Sequence, residues 1–215
     1  MWRLRLTSRL TASAAADDAV SLLVSRRDAA LSGLAAQAGV VAQACHDMAA
    51  RFHQGGKLLV FGTGGSSTDA QHVAVEFVHP VIVGKRALPA FSLTCDIATV
   101  TGVAAREGQD AVFAHQIRVL AGPSDIALGL SADGHDPSVL AGLEAARAAG
   151  LLTIALAGRD GGPIADSPAV DHVLIARSDD PRIVKETQVT TYHILWELVH
   201  VFLEQPGILG PGVIR

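Results

Sequence analysis

The stretch KLLVFGTGGSSTDAQHVAVEF, residues 57–77, carries the reading of the fold. Lys57–Phe61 is a short, almost wholly apolar run of the kind a parallel sheet buries on both faces. Glycines at 62, 64 and 65 follow; they let the backbone turn tightly and approach a ligand, while Ser66 and Ser67 add hydroxyls. A helical stretch, Thr68–Val78, comes next. Strand, glycine loop and helix in that order put free amides at a helix N-terminus, where an anion, usually phosphate, is favoured. The loop is not the dinucleotide fingerprint GxGxxG, since Ser67 stands at the third glycine position, and no lysine follows as in a P-loop. A plain glycine turn with a serine cap is the other reading of these residues.

The same unit recurs along the chain. Further apolar runs stand at Leu88–Leu93, Asp125–Leu130, Leu151–Leu156 and His172–Ala176. Helical stretches at Ile97–Ala105, Ala111–Ala121 and Ser138–Ala149 separate them, and a last helix spans Pro181–Glu204. From Asp17 to about His53, Val20, Leu23, Val24, Leu31, Leu34, Val41 and Met48 recur at helical steps, with Gly33 and Gly39 as the expected breaks. Alternation at this spacing is the signature of a doubly wound, mainly parallel α/β sheet, with right-handed crossovers laying helices on both faces. One α/β domain is expected over residues 17–204, with an extension at 1–16 and a tail at 205–215.

Composition narrows the function classes. The 215 residues suffice for one domain with a substantial core. Hydrophobic residues make up 49% and mean hydropathy is +0.35, which argues against disorder. Charged residues, at 18%, fall below the usual quarter and lean toward surface lost to subunit contacts. A net charge of −4 without a basic block gives nucleic acid little to hold. No apolar run approaches the ~18 residues of a membrane helix. Cys45 and Cys95 have no CxxC spacing, so neither a disulfide framework nor a cysteine zinc site is expected. The first sixteen residues hold three arginines before an Ala/Ser-rich stretch, but lack the continuous apolar segment of a secretion signal. A cytoplasmic enzyme or binding domain is the expectation.

In a doubly wound sheet, ligands bind beyond the carboxyl ends of the strands. His72 and Glu76, four apart on the helix after the glycine loop, share a face and suit either a metal or proton transfer. A hydrogen-bonded surface or interface pair is the bland alternative. The last helix carries Glu186, Gln188, His193, Trp196, Glu197 and His200. His193 lies among Val189, Ile194, Leu195, Leu198 and Val199, which predicts a place near a buried seam; a lone histidine there is more often structural than catalytic. After the third strand, Ser131 and Gly134 suit a ligand loop, but Asp133 and Asp136 would repel a phosphate. A turn in which Asp136 or Ser138 caps the next helix reads equally well. Gly158–Gly162 is an ordinary turn signal.

Together FGTGGSSTDAQHVAVEF, ALPAFSLTCDIATVTGV, GLSADGHDPSVLAGLEAARAAG, IALAGRDGGPIAD and HILWELVH resemble the SIS (sugar isomerase) domain family, on its phosphoheptose-isomerase branch. The resemblance runs over roughly residues 20–204. It implies a three-layer sandwich around a five-stranded parallel sheet, a flavodoxin-like doubly wound fold. It also implies a homotetramer with active sites at subunit interfaces, and isomerisation of sedoheptulose 7-phosphate through an enediol. Glu76 matches the carboxylate that moves a proton between C1 and C2, and His193 the histidine that assists at oxygen. Zinc-binding members use a His and a Glu on the first helix with a Gln and a His on the last; His72, Glu76 and His193 fill three of these positions. Substrate contacts are expected from Thr63, Gly64, Gly65, Ser66 and Ser67, from Ser131, Ala132, Asp133 and Asp136, and from Arg106 and Lys185.

The departures gather where ligand is held. The glycine loop carries Thr63 for the family's Asn. The phosphate loop STSGNS reads SADGHD, and an Asn-Asp pair reads Ala105-Arg106. Lys185 replaces the metal-binding Gln; Gln188, five residues before His193, lies about 140° round the helix from it. Arg106 or Lys185 could receive a displaced phosphate, or Lys185 could pair with Asp133 or Asp136 of a neighbouring chain. Asp133 and Asp136 could equally hold sugar hydroxyls or a cation of a different ligand. The sequence thus points to a phosphosugar aldose–ketose isomerase with a diverged substrate loop. Its rival is a non-catalytic sugar-binding or protein-interaction module on the same scaffold.

Overall fold

A computed structural model of the chain describes residues 14–205 and 207–209. Three helices lead: α1 (Ala14–Ser25), α2 (Asp28–Ala35) and α3 (Ala38–His53). Strand β1 (Leu58–Gly62) feeds α4 (Gly65–Val78), and β2 (Ala90–Ser92) feeds α5 (Ile97–Glu107). A 3-10 turn (Gln109–Ala111) leads into α6 (Val112–Leu120). Then β3 (Ile126–Ser131), α7 (Pro137–Ala148), β4 (Leu152–Gly158), α8 (Gly162–Asp166), β5 (His172–Ala176) and α9 (Pro181–Glu204) complete the order. The five strands pair in parallel in the order β2-β1-β3-β4-β5. The expected five-stranded doubly wound sheet is the observed one.

The period-2 geometry of a strand explains why these runs are apolar without interruption. Leu58 and Val60 of β1 face one way and pack with Met48, Phe52, Phe77, Tyr192 and Trp196. Leu59 and Phe61 face the other way and pack with Phe113, Ile117, Val139 and Leu143. Both faces therefore carry a dry core: α2, α3, α4 and α9 cover one, and α5, α6 and α7 cover the other. The tight fit shows at Gly142, where a Cβ would meet the Phe61 ring at 2.7 Å.

Three local expectations are corrected. The leading helical region breaks at Arg26-Arg27 and Ala36-Gln37, while Gly33 and Gly39 lie inside helices. A mid-helix glycine costs only about 1 kcal/mol. The breaks lie instead where side chains are tied elsewhere: Arg27 to Glu186, at 2.6 and 2.8 Å, and Gln37 to the backbone of Ile175 in β5. Strand β2 is three residues long, shorter than its apolar run, and sits at the sheet edge. The Gly158–Gly162 turn opens into the short helix α8. Of the expected extension at 1–16, residues 1–13 lie outside the described residues and 14–16 begin α1. Of the tail at 205–215, residues 206 and 210–215 also lie outside them, and Leu209 packs against the core. No described helix is long and apolar enough to cross a membrane.

Candidate active site

Strand order reverses between β1 and β3, and the connections from these two strands leave for opposite faces of the sheet. The crevice beyond their carboxyl ends is where a doubly wound sheet binds ligand. A cleft of about 630 Å³ lies there. Its walls include Thr63, Gly65 and Ser66 from the glycine loop, Ser131, Ala132, Asp133 and Asp136 from the loop after β3, and Lys185 from the start of α9. Sequence reasoning missed Asp69, Gln109 and Asp110, which also line it. Gly64 and Ser67 lie outside this cleft and border a smaller one of about 190 Å³. Gly64 adopts φ +52° as the N-cap of α4, a conformation that favours glycine, and the Ser67 hydroxyl donates to its carbonyl at 2.7 Å. Arg106 is exposed near the end of α5, its Nε donating to Gly102 O, and does not line the cleft.

The loop after β3 is held by its own polar groups. The Ser131 hydroxyl accepts from Gly134 N at 2.9 Å, and Asp133 Oδ1 accepts from His135 N at 3.0 Å. Asp136 caps α7, accepting from Ser138 N at 3.0 Å, Val139 N at 3.2 Å and the Ser138 hydroxyl at 2.6 Å. Its second oxygen accepts from the Thr63 hydroxyl, which ties the two loops together. Gly134 is required by space as well as by its φ of +79°: a Cβ there would lie 1.9 Å from Gly161 O. The capping reading of Asp136 is the observed one.

Charge in the cleft is mostly negative, from Asp69, Asp110, Asp133 and Asp136, with Lys185 the cation among its walls. The ammonium of Lys185 meets Asp69 Oδ2 at 2.7 Å and Gly65 O at 3.0 Å within its own chain. Neither Asp133 nor Asp136 of the same chain takes it. Gln188 is buried and turned into the sheet, donating to Ser131 O at 2.9 Å and Leu156 O at 3.1 Å. The angular argument that removed Gln188 from the histidine face matches this placement.

One helical turn beyond Asp69, α4 brings His72 and Glu76 alongside α9. His72 Nε2 is 3.1 Å from Glu76 Oε1. The His193 ring lies 5.3 Å from that of His72, and one ligand atom from each of His72, Glu76 and His193 falls within 4.8 Å of the other two. His193 is exposed rather than set in a buried seam; the 100° step along α9 turns Tyr192, Leu195 and Trp196 into the core and leaves it outside. Glu76 is nearly covered, its side chain 12% exposed, and Trp196 Nε1 donates to its backbone carbonyl at 2.8 Å. The Tyr192 hydroxyl meets His72 Nδ1 at 2.8 Å. Burial, and then the Asp69 and Glu76 carboxylates, push the Tyr192 phenol above its ordinary value, so it stays a neutral hydroxyl. Tyr192 was not anticipated from sequence, although it is the chain's one tyrosine and adjoins a singled-out histidine. A carboxylate and two imidazoles at these separations suit proton transfer, and equally a three-donor metal site with one position open.

The family described as SIS domain matches residues 26–158. A phosphoheptose isomerase of Solidesulfovibrio magneticus is 42% identical over 175 residues, covering 81% of this chain and 84% of the relative. A phosphoheptose isomerase of Pelobacter propionicus is 43% identical over 71% of this chain and 82% of its own. Among solved structures, a phosphoheptose isomerase from Neisseria gonorrhoeae superposes with a TM-score of 0.76 at 27% identity, over 85% of this chain and 97% of that one.

Proposed function

The chain belongs to the SIS domain family, on its phosphoheptose isomerase branch, and from that premise we propose that it interconverts sedoheptulose 7-phosphate and D-glycero-D-manno-heptose 7-phosphate. The observation that carries this reading is the group of His72, Glu76 and His193 between α4 and α9. The Glu76 carboxylate takes a proton from C1 of the open-chain ketose, and the electron pair forms the C1–C2 double bond of an enediol. His193 delivers a proton to the oxygen on C2. In the second half, His193 removes the proton from the oxygen on C1 as that carbonyl forms, and Glu76 returns its proton to C2. A positioned base beside an acid is what proton abstraction next to a carbonyl requires. The sugar chain lies in the neighbouring cleft, with Ser131 and Asp133 toward its hydroxyls and the positive end of α4 toward its phosphate.

Zinc fits the same residues in part. His72, Glu76 and His193 supply three donors within reach of one ion, and Lys185, whose ammonium has no lone pair, cannot be the fourth. A site with three protein ligands and one open position is of the catalytic type. When bound there, zinc would polarise a sugar carbonyl.

We further propose a homotetramer with each site completed at a subunit interface. Two features support it: the His72–Glu76–His193 group lies outside the cleft walls of a single chain, and α1 and residues 81–83 expose Val20, Leu22, Leu23, Val24, Val81, Ile82 and Val83.

The deciding experiment is proton NMR in D₂O with sedoheptulose 7-phosphate, following deuterium entry at C1 and C2, with and without added zinc. Exchange is expected, and Glu76→Gln should lower it by roughly 10²-fold or more while leaving the thermal midpoint in place. An active Glu76→Gln protein would overturn the assignment of the base. Metal content near zero after incubation of untagged protein with zinc would remove the zinc part alone.

A further inference from the structure

Tyr192 takes no part in the reaction as written, yet it is placed with unusual economy. Its side chain is 1% exposed, the ring lies 4.9 Å from that of His193, and the hydroxyl meets His72 Nδ1 at 2.8 Å. On the far side of the same imidazole, Nε2 stands 3.1 Å from Glu76 Oε1. These two contacts choose between the neutral tautomers of His72. A carboxylate oxygen only accepts, so Nε2 must carry the proton; the other tautomer would face a nitrogen lone pair to an oxygen lone pair. Nδ1 is then bare and needs a donor. A phenol with an ordinary value near 10 is protonated at neutral pH and supplies one.

We infer that in the metal-free protein Tyr192 is a positioning residue for the isomerisation: its hydroxyl donates to Nδ1, holds His72 as the Nε2–H tautomer, and thereby aims a donor at the Glu76 carboxylate; a His72 that bound zinc through Nε2 would instead carry its proton on Nδ1 and donate it to the Tyr192 hydroxyl. The consequence is a directed chain, Tyr192 O–H to His72, and His72 N–H to Glu76. It fixes which carboxylate oxygen is occupied and leaves the other to meet the substrate. The catalytic part of this inference rests on Glu76 being the base; the tautomer does not.

The experiment has two arms on the full-length protein. Long-range ¹H–¹⁵N correlation spectra of ¹⁵N-histidine-labelled protein, without sugar or metal and assigned with His72→Gln, report which ring nitrogen of His72 is protonated. The Nε2–H form is expected in the native chain and a mixture of tautomers in Tyr192→Phe. A native spectrum showing Nδ1–H, or both nitrogens protonated, would overturn the inference, and this arm requires no variant of Tyr192 to fold. In the second arm, on metal-free protein, Tyr192→Phe should lower kcat by about 3- to 10-fold, the loss expected from one ordinary hydrogen bond, with KM within about twofold. Unchanged kcat, or a loss confined to KM, would count against the positioning role. Should no sugar be turned over at all, the isomerase reading fails while the tautomer measurement still decides the hydrogen-bond direction.

Discussion

Asp136 shows how one side chain can be read correctly for structure and leave its chemistry to the fold. Its carboxylate spends one oxygen on the α7 cap and the other on the Thr63 hydroxyl, so it serves as a brace between the β1 and β3 loops. An N-cap of this kind is worth about 1 kcal/mol, up to about 2. Asp136→Ala should destabilise the protein by about that much in urea denaturation, and Asp136→Ser, which keeps a capping oxygen, should recover most of it. Equal losses in both variants would show that the brace to Thr63, and not the cap, dominates. Lys185 makes the complementary point. Its substitution for a glutamine was visible in the sequence, but its partner, Asp69, stands 116 residues away and only the folded chain names it.

At the scale of elements, the strands were legible because two-sided burial demands unbroken apolar runs, and α9 because its amphipathic pattern runs between Asp180, which caps it, and Gln205. The leading helices were harder. Their breaks depend on partners far along the chain, and Gln37 is the clearest case: its amide accepts from Ile175 N at 2.9 Å and donates to Ile175 O at 2.9 Å, so it stitches the start of α3 to the edge strand β5. Removing it leaves an edge-strand N–H and C=O without those partners. Gln37→Ala should therefore cost about 1–3 kcal/mol, read as a lowered thermal or urea midpoint, and Gln37→Glu should recover part of it through the accepting oxygen. An unchanged midpoint would show that these two bonds add no net stability.

For the whole molecule, the sheet order brings α4 and α9 side by side on one face and opens the cleft at the β1–β3 switch point, so Glu76 and the loop after β3 come together from separate parts of the chain. On α1 and at residues 81–83, seven large apolar side chains are exposed, the surface on which the assembly proposal rests. Light scattering behind size exclusion is expected to give the mass of four 22.3-kDa chains. A single-chain mass at micromolar concentration would remove the assembly proposal and leave the site to be completed within one chain.

What the sequence determined alone is what local patterns encode: five apolar strands, the helices between them, the glycine loop, and His72 and Glu76 on one helical face. Those follow from spacings of two, three and four residues, which the backbone geometry of strand and helix enforces wherever the segment lies. The tertiary structure decided every pairing across the chain. Tyr192 reaches His72 over 120 residues, Lys185 is drawn to Asp69, and His193 faces outward. Such partners are chosen by how the sheet order stacks the helices, and no short-range periodicity carries that information.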